Sequence, residues 1–334
     1  MPRTTYHLKI TSDKLIKKIN KHNIDLMNKF LKDKSRTTSE TTLVVYKSNM
    51  EMFFCWNVSH NDNKLFTDIK KIEFSDFFVF MTDELKLGSA RLNNIRSTLS
   101  SFSNFIEKFY DSDYPNFRNV ILRVVESAPK EERREKTILT DEQIEGLMLH
   151  LKETDTQKAC WLALAVCSGA RFAELLRFET THIDINRTAF GDLFLETTKQ
   201  IKTKGRGKTG KLLYKYILRD KFMPYYLAWV GERQKIMSEK GKTHDFMFIK
   251  SNGEPLSQSA VRGWLEGFEK FLGVPFYPHS VRHFLVTMLS KKNIPPILIK
   301  ELMGWSSAQM VEVYDDTTAR DRNYPELDFL KGNI

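Results

Sequence analysis

The stretch PHSVRHFL, residues 278–285, sets His279 three positions before Arg282. On a helix that spacing is close to one turn, so both side chains can serve one point. A histidine there can hydrogen-bond an anionic oxygen or shuttle a proton. An arginine can neutralise charge that builds up in a phosphoryl-transfer transition state. His283 is rotated about 100° from Arg282 on a helix, which gives it a supporting role. Upstream, CSGARFAELLRF puts Arg171 after a Ser-Gly-Ala turn at a helix start, with Glu174 three residues on. A guanidinium fork beside free helical N–H groups can grip a phosphate. The ordinary alternative is an Arg171–Glu174 surface pair.

Two more places could do chemistry. Residues 194–218, FLETTKQIKTKGRGKTGKLLYKYIL, crowd Lys199, Lys202, Lys204, Arg206, Lys208, Lys211 and Lys215 together. Like charges at this density repel, and a bound polyanion relieves the repulsion. A lysine at such a turn can also enter a groove and protonate a leaving oxygen. Finally, GWSSAQMVEVYDD, residues 304–316, has Gly304 as a helix stop. Ser306 and Gln309 form a capping-box pattern that opens a helix holding Tyr314. Tyr314 follows Met310 and Val311 at helical spacing, so a half-buried core tyrosine is its ordinary explanation. Trp305 would likewise pass as a core residue.

These residues need a scaffold. From residue 14 to 110 the apolar spacing is helical. The last helix of this stretch, in SARLNNIRSTLSSFSNFIEKFY, buries a stripe of Leu92, Ile95, Leu99, Phe102, Phe105 and Ile106. Its other side carries Arg91, Asn93, Asn94, Arg96, Ser97, Ser100 and Ser101, small polar and basic residues that suit a phosphate backbone. A solvated helix face would look the same. ESAPKEERREKT, residues 126–137, has a proline, dense mixed charge and no large apolar residue, which marks a linker. Thr140 then starts a helix with Gln143 in capping-box position. The region after it is mostly helical, interrupted by a β-hairpin over 194–218 with a long basic loop. The expected organisation is therefore a helical domain at 1–125, a charged linker at 126–139 and a second domain at 140–334.

Composition narrows the class. The 334 residues carry a net charge of +10 and 41% hydrophobic content. That is enough for ordinary cores, and the basic balance favours a polyanion. No apolar run is long enough to cross a bilayer. The N-terminal residues are polar and basic, without a signal peptide's apolar core, so a location in the cytosol, or wherever cytosolic DNA lies, is expected. The three cysteines, Cys55, Cys160 and Cys167, lack metal-ligand spacing and read as reduced core residues. No metal or cofactor is expected.

The order of the motifs matters more than any one of them. An arginine after S-G-A, a lysine-rich hairpin, H-x-x-R, G-W and then a tyrosine resemble the tyrosine recombinase (phage integrase) family over nearly the whole chain. The resemblance implies a mainly α fold with a small antiparallel β-hairpin or sheet, in two domains: a helical SAM-like core-binding domain and a mixed α/β catalytic domain. By position, Arg171 and Arg282 correspond to the phosphate-clamping arginines, and His279 to the histidine of the H-x-x-R box. Trp305 stands where histidine is usual, and Tyr314 corresponds to the nucleophile. Lys202 and Lys204 both fit the hairpin lysine. Glu174 and His283 are supporting residues. Arg91, Arg96, Lys199, Arg206, Lys208 and Lys211 are expected DNA contacts. The turn S-G-A replaces the commoner T-G-L, and Asp315 and Asp316 follow the tyrosine, which is less usual.

The implied activity is site-specific recombination or integration on double-stranded DNA through a 3′-phosphotyrosyl intermediate, in a phage or other mobile element. Self-association is implied too, as a dimer on a site and a tetramer in synapsis. Two alternatives stay open: a DNA-binding regulator, such as a mobile-element repressor, that keeps the fold without the reaction, and a type IB topoisomerase. The first arises because positioning, not a motif set, decides activity.

Overall fold

The computed structural model describes residues 10–127, 137–203, 205 and 210–315. It separates into two compact units, one of residues 1–134 with 205–210 and the other of residues 135–204 and 211–334. The basic residues Lys204, Arg206 and Lys208, and Asp316, lie outside the described residues.

The first unit is helical: α1 (Asp13–Ile16), α2 (Lys21–Lys34), α3 (Glu40–His60), α4 (Lys71–Asp83), α5 (Ser89–Phe109) and α6 (Ile121–Val124). Its helix starts are written locally. Asn20 caps α2 by accepting the His22 N–H, and Ser39 caps α3 by accepting the Thr42 N–H. The core is aromatic. Phe53 on α3 is fully buried, with ring centroids of Phe77 at 4.9 Å and of Phe54, Phe66 and Phe74 at 5.6 Å. The stripe expected on α5 is the buried one. A polar clasp registers α5 against α3: Asn49 Nδ2 donates to Thr98 Oγ1 at 2.7 Å and to Asn94 Oδ1 at 2.8 Å.

The α5 face read as phosphate-facing is partly occupied. Arg96 donates from Nε to the Val125 carbonyl at 2.6 Å and from Nη2 to Leu122 at 3.1 Å, closing the last turn of α6. Ser100 is buried and accepts from Asn119 Nδ2. Arg91 is half-buried. These contacts arise because the chain after α5 folds back onto that face, which the local pattern of α5 does not record.

The second unit is built around α8 (Thr156–Ser168), which follows α7 (Asp141–Thr154). The Thr140–Gln143 capping box on α7 forms as expected, with reciprocal bonds of 3.2 and 3.0 Å. Every residue of α8 from Ala159 to Ser168 is buried, so α8 is apolar all round and must be wrapped by neighbours. These are α7, α10 (Arg219–Glu239) and α12 (Pro278–Lys291). The remaining helices are α9 (Phe172–Leu175), α11 (Gln258–Leu272), α13 (Pro296–Met303) and α14 (Met310–Tyr314).

The hairpin over 194–218 forms as two ladders rather than one. β2 (Phe194–Glu196) lies between β1 (Thr188–Ala189) and β5 (Tyr216–Leu218), while β3 (Ile201–Thr203) pairs with β4 (Lys211–Leu213), all antiparallel. Thr197 makes the break. Its N–H donates to the Lys215 carbonyl, but its Oγ1 accepts the Lys215 N–H at 3.0 Å in place of a backbone oxygen. The Thr198 N–H and Oγ1 then turn to the His182 and Thr181 carbonyls.

All three cysteines are buried. Burial pushes the Cys167 thiol up to about 12 and the Cys160 thiol higher still. Only thiolate reacts, so Cys160 and Cys167 should be silent to Ellman's reagent in the native protein. They should titrate in full only in denaturant.

Candidate active site

Three helix ends build the site. The first is the C-terminus of α8, where Gly169 adopts φ 56°. A side chain there would be strained by that backbone and would set a Cβ 2.8 Å from Met303 Sδ, which favours glycine. The second is the N-terminus of α12, where Pro278 takes the first helical position and its missing N–H costs nothing. The third is the C-terminus of α13, which Gly304 stops at φ 67°.

Arg282, on the first turns of α12, joins these ends. It is 1% exposed. Its Nη1 donates to the Gly169 carbonyl and its Nη2 to the Met303 carbonyl at 3.1 Å. One guanidinium thus satisfies a carbonyl at the end of each of α8 and α13, which α helices leave without intrahelical partners. Its Cζ lies 5.0 Å from the Trp305 ring centroid and 5.5 Å from that of Tyr314. Burial, then the charge of Arg171, pushes its pKa down to about 10, still cationic at neutral pH.

Tyr314 is the last residue of α14, and its backbone is held. Its carbonyl accepts from Thr287 Oγ1 at 3.4 Å and lies 3.2 Å from His283 Nδ1, a bond that requires the Nδ1–H tautomer. Its ring sits 4.6 Å from the ring of His283, 5.0 Å from that of Trp305 and 6.4 Å from that of His279. The expected Ser306–Gln309 cap gives way to a different start. Ser307 Oγ accepts the Gln309 N–H at 3.2 Å and α14 begins at Met310. The Ser307 bond closes a turn ahead of the helix, whose N-cap position falls on Gln309 with no side-chain cap.

Arg171 stands at the N-cap of α9. Its Nη1 donates to Glu174 Oε1 at 3.0 Å and its backbone N–H to Glu174 Oε2 at 3.1 Å. A surface pair is excluded, because Glu174 is 1% exposed. Lys215 supplies a third donor, with Nζ 2.7 Å from Glu174 Oε2. Burial alone would raise the Glu174 carboxyl, but Lys215 and Arg171 hold it below its ordinary value. Arg171 keeps a partly open side chain, 24% exposed.

Arg171, Glu174, His279, Arg282, His283, Trp305 and Tyr314 therefore belong to one neighbourhood of the second unit. The hairpin residues are more dispersed. Lys199, Lys202 and Lys211 are exposed, and the Lys202 carbonyl accepts from Arg177 Nη1 at 2.8 Å. Lys215, grouped by sequence with the solvated basic turn, is instead buried. Strand parity carried that signal: Lys215 stands two residues before Ile217, which is fully buried on β5. Thr287 and the two carbonyls that take Arg282 had no local signature. Among the described residues, no group of three or more His, Cys, Asp or Glu side chains could hold a metal.

Known proteins resemble this chain. Residues 137–320 match the model of the Phage integrase family. The SPbeta prophage-derived recombinase-like protein YomM of Bacillus subtilis is 26% identical over 330 residues, spanning 95% of this chain and 91% of that protein. Tyrosine recombinase XerD of Oceanobacillus iheyensis is 22% identical, over 85% and 90% of the two chains. Among solved structures, the Tn1549 transposon integrase in complex with transposon right end DNA matches with a TM-score of 0.65 at 15% identity, over 93% of this chain and 100% of that one. A lambda integrase tetramer bound to a Holliday junction matches at 0.63 and 19% identity, over 92% and 80%. The structural matches establish the two-domain tyrosine-recombinase architecture.

Proposed function

Because the chain belongs to the phage integrase family, we propose that Tyr314 is the nucleophile with which it cuts and rejoins DNA. The protein is a site-specific DNA recombinase of the tyrosine type. The observation that carries the assignment of Tyr314 is the packing of its ring on Trp305 and beside the Arg282 guanidinium, at 5.0 and 5.5 Å.

The chemistry follows from these groups. Tyr314 Oη attacks a DNA phosphorus and gives up its proton to solvent water. The P–O5′ bond breaks, and the 5′ oxygen takes a proton from Lys202 or Lys204 of the hairpin. Arg171, Arg282 and His279 stabilise the charge on the non-bridging oxygens of the pentacoordinate phosphorus. Arg282 Nε and Trp305 Nε1 are buried donors without a partner among the described residues, and phosphate oxygens are acceptors they would take. The 3′-phosphotyrosyl link conserves the phosphodiester bond energy. A 5′-hydroxyl from a second strand reverses the attack and seals the new joint.

The first unit serves as the core-binding domain and grips double-stranded DNA. Dimers occupy a site and tetramers form the synapse; the fold shared with a lambda integrase tetramer bound to a Holliday junction supports this reading. With a net charge of +10, binding rests on phosphate neutralisation. If about six to ten phosphates are contacted, affinity falls about 10³–10⁵-fold between 50 and 200 mM salt. Anisotropy titrations measure this directly.

The test of the whole reading uses DNA selected by the protein from random sequence. A duplex nicked close to the scissile phosphate traps the intermediate, and wild type should give an SDS-stable protein–DNA adduct. Tight, specific binding with no adduct would instead identify a DNA-binding regulator on a recombinase fold.

A further inference from the structure

Lys215 is the one basic residue of the 194–218 segment for which the recombination chemistry has no use. It is 1% exposed, at the start of β5, and its ammonium contacts Glu174, itself 1% exposed. Burying a lysine is costly unless the charge is paired, so a residue at this place needs a reason.

The geometry of Glu174 supplies one. Its carboxylate serves three donors: Lys215 Nζ at 2.7 Å and the Arg171 N–H at 3.1 Å on Oε2, and Arg171 Nη1 at 3.0 Å on Oε1. Oε2 is pinned from the strand side and from the α9 cap, which fixes the carboxylate plane. Oε1 is thereby aimed at the guanidinium of Arg171. The local charge is also altered. Arg171, Lys215 and Arg282 face the single carboxylate of Glu174 and interact electrostatically with one another. With Lys215 present, Glu174 cannot fully neutralise Arg171, and the cluster keeps a positive excess that an anionic ligand offsets.

We propose that Lys215 is a positioning residue: through Glu174 it holds Arg171 in orientation and keeps its charge available to the scissile phosphate. This rests on the recombinase reading above. The distinction from a merely structural ion pair is that Lys215 should affect the rate of cleavage more than the binding of DNA. A displacement of about 1 Å at a reacting group can cost about 10²-fold in rate.

The experiment compares wild type, Lys215→Met, and Lys215→Met with Glu174→Gln. Each is measured by thermal melting, by anisotropy with the selected duplex, and by single-turnover cleavage of the nicked duplex at saturating protein. A fourth measurement needs no reaction: NMR of the Arg171 guanidinium in DNA-free protein, where hindered rotation gives separate Nη resonances. Lys215→Met should cleave about 10²-fold more slowly with DNA affinity within about threefold of wild type, and its Arg171 Nη resonances should average. The double variant removes the half-paired charge, so it should recover melting temperature but not cleavage. Cleavage by folded Lys215→Met within about threefold of wild type would overturn the proposal, as would cleavage recovering together with stability in the double variant. Should wild type form no adduct, the recombinase reading fails, and the Arg171 resonances alone decide whether Lys215 holds that side chain. Unchanged resonances in Lys215→Met would overturn it.

Discussion

Tyr314→Phe should leave the protein folded and bound to its DNA site, with no covalent adduct at any time point. Tyr314 is held by its backbone carbonyl, through His283 and Thr287, and by its ring, packed on His283 and Trp305, while its side chain also interacts with Arg282. Phenylalanine keeps the carbonyl and the ring and removes only the hydroxyl. Loss of the attacking oxygen removes the covalent route altogether, while the basic surfaces that bind phosphate are untouched. Melting temperature and anisotropy would show fold and affinity near wild type. An adduct formed by Tyr314→Phe would transfer the nucleophile to another side chain.

Arg282→Ala is expected to have the next largest effect, and it acts on stability and rate together. The side chain bridges the Gly169 and Met303 carbonyls. Removing it leaves two buried acceptors, each costing about 1–3 kcal/mol when unpaired. Relief from burying a charge offsets part of that loss. The rate should fall further than stability explains, by at least about 10²–10³-fold, if the guanidinium stabilises charge on the phosphate as proposed. Arg282→Lys separates the two effects. A lysine keeps the charge but lacks the planar fork that spans two carbonyls. It should recover part of the melting temperature while cleavage stays near that of Arg282→Ala. Single-turnover rates at a temperature where all three proteins are folded make the comparison clean. Equal rates for wild type and Arg282→Ala would remove Arg282 from the reaction.

Local signals in the chain predicted the parts that local rules control. The Thr140–Gln143 cap, the stop at Gly304, the proline-led start of α12 and the buried stripe of α5 all follow from nearest neighbours along the sequence. The spacing of His279 and Arg282 likewise needs only a helix. What those signals missed depends on contacts far apart in the chain. Arg282 turns inward because the ends of α8 and α13, 113 and 21 residues away, present carbonyls to it. Arg96 is drawn to α6 by a return of the chain 26 to 29 residues later. The hairpin divides at Thr197 because a side-chain hydroxyl replaces a ladder oxygen. Lys215 had a readable parity, but the density of lysines around it made solvent the simpler assignment. The choice between Lys202 and Lys204 stays open, since residues two apart on a strand share a face and Lys204 lies outside the described residues.

The central claim is that DNA is cut by attack of Tyr314, and one mapping experiment addresses it. The wild-type adduct on the nicked duplex is digested with nuclease and trypsin, and the peptide that retains nucleotide is identified by mass. Cleavage after Lys300 and Arg320 releases residues 301–320, in which Tyr314 is the only tyrosine. The account predicts that this peptide carries the nucleotide through its tyrosine and that the released DNA strand ends in a 5′-hydroxyl. Nucleotide on any other peptide, or a wild-type protein that binds its site tightly and yields no modified peptide, would contradict it.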